Sequence, residues 1–306
     1  MTKYRKEYRK IAKRLTLADI QGGVNDDQLS LDNLVSDGRV NSSSNFLMGV
    51  FSEKGILRVL EAFGFLKLLA KIGLKNICMQ LDSSDPHCHR LYLFHDKPLT
   101  EKKICELVLK QGPIHFQEGI LSNFPERDPV LLQIEWLLLQ NPAIEFSARR
   151  PRLPGQSYPG LGLGDRLMEL LIIMTRRLAL EGMVAKPNYY HTAYIFARDF
   201  VFVNPVHQAI LRRINQDLLS KYSFYTAAWA SYYDCIINTV DNQIFTWEPG
   251  YLILPLTKDY IRYFRSKEYL KEVEVHIPEF RFRIDKAKFT EHMRANALEI
   301  YDTIQS

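Results

Sequence analysis

The stretch RLPGQSYPGLGLGDRLMELL, from Arg152 to Leu171, places Gly155, Gly160, Gly162 and Gly164 within ten residues and then runs straight into a helix-forming pattern. The first N–H groups of a helix are unpaired and lie at the positive end of its macrodipole. A glycine-rich lead-in therefore lets an anion approach with no Cβ in the way. The same glycines could instead let a strand and a helix pack closely, or punctuate an ordinary loop. The neighbouring segments bear on the choice.

Upstream, VLLQIEWLLLQ at 130–140 is apolar on both faces, which predicts a central, covered strand. After Asn141 and Pro142, a short strand reaching Ser147 and then a long proline-rich loop are expected. Downstream, Leu167, Leu170, Leu171, Met174 and Leu178 mark one face of a helix that starts at Asp165 and should stop at Gly182. A short strand at Met183–Ala185 follows, then a helix or loop through NYYHTAYIFAR (188–198) and the apolar run FVFVNP (200–205). The middle of the chain thus reads strand, glycine loop, helix, strand.

Farther out, Ile56, Val59, Leu60, Phe63, Leu66 and Leu69 recur at helical spacing after Ser52, with Gly64 breaking the run in two and Gly73 ending it. Strands are predicted at 75–82, 90–96 and 105–111. The C-terminal third reads as a helix near 206–220, an aromatic segment FYTAAWASYYDCII, a strand YLILPL, a helix from Thr257, a strand FRFRID and a closing helix from Lys286. The expected fold is α/β or α+β: a mixed sheet built from about 75–205 with flanking helices, plus an additional C-terminal helix and strand region. The boundaries expected are 1–45 for a basic arm and polar linker, 46–205 for the core and 206–306 for an extension or second lobe.

Composition sets the outer limits. At 306 residues, 46% hydrophobic and 25% charged, the chain has the make-up of an ordinary globular protein. Its longest apolar run, LMELLIIM, is interrupted by Glu169 and falls far short of the roughly 18 residues a membrane span requires. No secretory leader pattern precedes it, so a cytoplasmic location is expected. Cys78, Cys88, Cys105 and Cys235 stand apart, without C-x-x-C spacing, and read as packed thiols. Lys3, Arg5, Lys6, Arg9, Lys10, Lys13 and Arg14 against Glu7 put +6 of the formal +5 into the first fourteen residues, leaving the remainder near neutral. Such an arm reads first as a solvated helical or frayed tail. No nucleic-acid-binding motif elsewhere supports a nucleic-acid partner.

The familiar nucleotide loops do not fit. Gly164 is followed by Asp165 and Arg166 where a Walker loop needs lysine and a hydroxyl residue, and GLGLG lacks both the preceding strand and the third glycine of a dinucleotide fingerprint. No G-x-S-x-G is present to support a serine nucleophile. In DPHCHRLYLFH, His87 and His89 share a strand face, but no second ligand pair stands at a standard spacing, so no metal is expected.

The segment from about 130 to 205 resembles the GNAT acyl-CoA N-acyltransferases. In that family a central strand leads to a loop of the type R/Q-x-x-G-x-G/A, whose N–H groups bind the acyl-CoA pyrophosphate. The loop opens a helix, and a strand and a helical segment follow. QSYPGLGLGDRLMELL is similar to that loop and helix start, although Gln156 stands one residue farther from Gly160 than the family spacing. The resemblance implies acyl transfer from acyl-CoA or acetyl-CoA to an amine, carried by a small molecule or a protein. Gln156, Gly160, Leu161, Gly162, Leu163, Gly164, Asp165 and Arg166 would then form the cofactor site. It also implies a general base on the central strand, with Glu135 or Glu145 as matches, and a tyrosine acid, matched by Tyr194. Flanked by apolar residues, Glu135 would carry a raised pKa if buried. His191, in the same polar-aromatic cluster as Tyr194, is a further acid or base able to act at neutral pH. The competing reading is an α/β module that keeps the scaffold without the chemistry and senses a ligand or binds a protein.

Overall fold

The structure, a computed structural model, describes residues 4–22, 46–116 and 120–298. The chain divides into two units. The first comprises residues 1–111, 133–145 and 160–177, the second residues 112–132, 146–159 and 178–306.

In the first unit, α1 (Arg5–Ala12) and α2 (Leu17–Gln21) precede a short antiparallel pair, β1 (Phe46–Leu47) and β2 (Phe51–Ser52). Thr16 and Asp19 form a reciprocal capping box at α2, and Gly22 ends it with φ 82°. The Ser52 hydroxyl accepts from Gly55 N–H and starts α3 (Glu53–Ala62). Gly64, at φ 73°, makes the expected break before α4 (Phe65–Lys71). Strands β3 (Ile77–Asp82), β4 (Cys88–His95) and β5 (Lys103–Pro113) run antiparallel in succession. β6 (Val130–Leu139) returns beside β5: Gln140 N–H donates to the Ile104 carbonyl at one end and Ile114 N–H to the Pro129 carbonyl at the other. β5 and β6 each pass through both units. α5 (Gly164–Arg177) closes the first unit, burying Leu167, Leu170 and Leu171.

The basic arm differs from the expected solvated tail, and the fold begins before Phe46. Tyr8 is fully buried, its ring 4.7 Å from Phe63 and its hydroxyl donating to the Phe63 carbonyl at 3.3 Å. Arg5 lies 3.4 Å from the buried Glu169 of α5, and Arg177 donates to the carbonyls of Ala12 and Leu15 at 2.7 and 2.8 Å. Part of the arm's charge is thus used to dock α1 on α5, which counting cations cannot reveal. Residues 23–45, read as the polar linker, lie outside the described residues.

The second unit contains β7 (Gly182–Ala185), α6 (Tyr190–Phe196), β8 (Val201–Phe202), α7 (Pro205–Leu218), α8 (Phe224–Tyr232), β9 (Ile236–Asn238), β10 (Gln243–Phe245), β11 (Leu252–Pro255), α9 (Lys258–Phe264), α10 (Lys267–His276), β12 (Phe282–Ile284) and α11 (Lys286–Ala295). Among the described residues the main sheet has seven strands in the order β3-β4-β5-β6-β7-β11-β8, and β10-β9-β12 form a smaller one. Glu181 N–H donates to the Val130 carbonyl, so β6 and β7 start side by side and run the same way, with α5 as the crossover between them. The fold is therefore a mixed sheet with flanking helices.

Two features depart from the expected layout. The sheet is not confined to 75–205, because β11 inserts from the C-terminal third between β7 and β8, antiparallel to both. No strand reaches Ser147: it forms only an isolated bridge with Arg150. The Asn141 side chain accepts from Ala143 N–H, turning the chain just after β6. The second unit's core gathers Phe116, Leu131, Val184, Ile253, Tyr263 and Tyr269.

Candidate functional site: the glycine-rich lead-in to α5

Alternation of leucine and glycine shapes the loop. Gly160 bridges to Gln140 immediately after β6, and Leu161 and Leu163 turn inward to pack with Leu139, Leu60, Ile104 and Leu167. Gly162 and Gly164 face outward. Gly162 holds φ 72°, the left-handed region that favours glycine, and a Cβ at either position would meet no atom within 4 Å. The N–H groups of Arg166 and Leu167 both bond the Leu163 carbonyl, which fixes the first turn of α5 beneath this open face. Two buried leucines therefore clamp a backbone arc whose outer side is bare glycine. That arrangement can receive an anion on N–H groups at the positive end of α5.

The side chains around the loop have structural tasks. Arg166 donates to the Tyr8 hydroxyl at 3.1 Å and lies 3.9 Å from the Tyr4 ring centroid, a cation–π contact that ties α5 to α1. Burial raises the Tyr8 pKa, which keeps the phenol neutral. Asp165 is half-buried in the first helical turn, where a carboxylate is favoured. Gln156 belongs to the second unit, where its side-chain oxygen accepts from Leu153 N–H at 3.1 Å and its carbonyl accepts from Arg152 Nε at 2.8 Å. Trp229 Nε1 donates to the Arg152 carbonyl at 2.8 Å, so the proline-rich approach is stitched to α8 within that unit.

The carboxylate candidates Glu135 and Glu145 lie in the first unit with the glycine loop. Glu135 is exposed on β6, accepts from Gln133 and lies 3.6 Å from Lys110 Nζ. The condition for a desolvated base, burial of that side chain, is absent. Next to it Trp136 is 51% exposed on the same strand, so β6 is covered only along its first half, where Leu131 and Leu132 are fully buried. Glu145 is exposed in the turn after β6.

His191 and Tyr194 both lie on α6, in the second unit. His191 is buried, its ring stacked on Tyr189 at 5.3 Å, and its Nδ1 has no hydrogen-bond partner among the described residues. Burial holds its pKa down at about 4, so the imidazole is neutral at pH 7. Tyr194 is half-buried with its ring 4.9 Å from Phe224.

A polar cavity of about 380 Å³ in the second unit was not singled out by the sequence. His115, Lys186, Asn204, His207 and Tyr251 line it, coming from four separate segments, since Asn204 and His207 both stand at the start of α7. Its one local signal is Asn204-Pro205, a helix-start pair in which Asn204 accepts from Val206 N–H and caps α7. Among the described residues no group of three or more His, Cys, Asp or Glu side chains could hold a metal. His89 is buried and its Nδ1 accepts from Met48 N–H at 2.9 Å, a structural bond that leaves exposed His87 as the other member of that pair. No described helix is long and apolar enough to cross a membrane.

No family model matches the sequence, and no curated protein matches it. Among solved structures, the chain is similar to a bacterial toxin at 12% identity and a TM-score of 0.25, covering 38% of this chain and 59% of the other. It thus spans less than two thirds of that toxin's length. It is also similar to AtaTR bound with AcCoA, at 9% identity and a TM-score of 0.25 over 53% of this chain and 83% of that one. AtaT complexed with acetyl-methionyl-tRNAfMet gives 11% identity and the same TM-score over 51% and 81%.

Proposed function

We propose that the chain is an acyl-CoA-dependent N-acyltransferase in which the Gly160–Gly164 arc receives the CoA pyrophosphate. The observation that carries this reading is the succession β6, glycine loop, α5, β7, α6, with Gly162 and Gly164 unobstructed and Leu161 and Leu163 anchored beneath them. That is the order of elements to which the sequence resemblance points. Backbone N–H groups would carry the binding, since Arg166 is held by Tyr8 and Tyr4.

In the reaction a neutral amine attacks the thioester carbonyl, an N–C bond forms, the C–S bond breaks, and the thiolate leaves to be protonated. Glu135, exposed and ion-paired, suits proton removal through water, with Glu145 as the second carboxylate. The resemblance assigns donation to the leaving thiolate to a tyrosine matched by Tyr194, which is half-buried on α6. His191, kept neutral by burial, is a weak base for this purpose. The test is calorimetric titration with CoA and acetyl-CoA of the parent chain and of Gly162→Val, with the fold of each checked by its thermal melt. Saturable binding weakened by more than about tenfold in a folded variant supports the reading, tenfold being about 1.4 kcal/mol. Absence of binding to the folded parent defeats it.

The exposure of Glu135 and its pairing with Lys110 favour a second reading, a ligand-sensing or protein-binding module without catalysis. CoA would then bind, and no thiol would be released from acetyl-CoA across a panel of amines and protein acceptors.

A further inference from the structure

Three separate segments of the second unit bring aromatic rings together: the turn into α6, the end of α8 and the stretch after β10. Tyr189, Tyr190, Tyr232 and Trp247 line a cavity of about 230 Å³, with Asn188 and Asp234 among its other walls. The rings stand in two pairs. Tyr189 and Tyr232 are 5.9 Å apart at 49°, and Tyr190 and Trp247 are 5.8 Å apart at 69°.

Neighbours hold these rings in place. The Tyr190 hydroxyl donates to Asn215 at 2.9 Å, and its ring is buried. Tyr189 stacks on His191 and rests on Gly155, where a Cβ would come within 3.3 Å of the ring. Gly155 sits at φ 75°, so both its backbone and the ring above it call for glycine. Tyr189 and Tyr190, fixed in this way, need no ordering when a ligand arrives.

Asp234 supplies the charge. It holds φ 50°, a left-handed conformation that Asp and Asn tolerate better than other side chains. Lys288 Nζ donates to its backbone carbonyl at 2.9 Å, while among the described residues no donor bonds its carboxylate. Among the described residues, Asp234 is the one carboxylate lining the cavity, and no Lys or Arg lines it. A negative group at the edge of an aromatic box is a poor host for an anion. It suits a cation whose attraction to ring faces adds to that of the carboxylate.

We propose that this cavity binds an organic cation, an alkylammonium or methylated ammonium group, held by the ring faces of Tyr189, Tyr232 and Trp247 and by the Asp234 carboxylate. The site stands independently of acyl-CoA binding at α5. Its test is calorimetric titration of the whole protein with choline chloride at constant ionic strength, beside the neutral isostere in which carbon replaces the quaternary nitrogen. Choline is expected to bind saturably and about tenfold more tightly than the isostere, the scale of a desolvated cation–π contact. Asp234→Asn keeps the left-handed backbone and should weaken choline by about tenfold while leaving the isostere unchanged. Trp247→Leu should weaken choline several-fold. Equal affinity for choline and the isostere, unchanged choline binding in Asp234→Asn, or no choline binding to the folded parent would each overturn the proposal.

Discussion

Glycines at two kinds of place in the first unit behave in opposite ways. A Cβ at Gly55 would stand 1.7 Å from the Ile20 carbonyl oxygen, because α3 meets the backbone of α2 at that point. At Gly162 and Gly164 a Cβ would meet nothing within 4 Å. Yet GLGLG draws the eye, while Gly55 lies quietly in the helical run EKGILRVLEA. A cluster of glycines thus marks open space here, and the closest backbone approach falls to a single glycine with no motif around it. Gly182 in the second unit repeats the close approach of Gly55, with the Leu254 carbonyl 2.5 Å from its would-be Cβ.

Gly55→Ala is the strongest way to break this contrast. In a solvent-exposed helix the change would stabilise by about 1 kcal/mol. Here α2 must move or lose its seat, and we expect a loss of about 4 kcal/mol or more, read as a sharply lowered thermal midpoint. An unchanged or raised midpoint would mean that α2 does not sit on Gly55.

The same contrast of packed and open separates two candidate proton carriers, the buried His191 and the exposed Glu135. His191 has its pKa lowered to about 4 from 6.5 by burial. The unfolded chain takes up this proton as pH falls below the ordinary value, while the folded chain resists until near the lowered one. The stability tied to the neutral ring is therefore whole above the unfolded pKa and is lost as pH falls through the folded one, a difference of about 3 kcal/mol. Urea melts at about pH 8 and about pH 4 should show His191→Gln losing less stability than the parent by that amount. Equal losses in the two proteins would show that the imidazole titrates normally.

Much of this layout was legible because it is local. Gly64 breaks α3 from α4 through its own backbone freedom, and the leucines of α5 and the alternation of β4 follow from periodicity. What was not legible depends on partners distant in sequence. YLILPL reads as a strand, but nothing within it says that β11 lies between β7 and β8. The arm's cations are countable, yet the use of Arg5 depends on Glu169 of α5, and the arm's own carbonyls at Ala12 and Leu15 are met by Arg177 of that helix. At the candidate site the glycine arc was visible in the sequence. The commitment of Arg166 to Tyr8 and of Gln156 to Leu153 was not, because each bond is made in three dimensions.

Within the arc the two outward glycines should differ by degree. Gly162→Ala meets no steric obstacle but must hold φ 72°, and a loss of about 1 kcal/mol is expected from that backbone alone. Gly164 is the first residue of α5, with no positive φ, so Gly164→Ala should change stability by no more than about 0.5 kcal/mol. This smallest effect is the most informative about ligand binding. The added methyl group projects into empty space that a pyrophosphate at the start of α5 would occupy. If the arc binds CoA, Gly164→Ala should melt like the parent and still bind CoA several-fold more weakly. If both melt and affinity match the parent, the open face of the arc is architecture and any CoA seen in titration is held elsewhere.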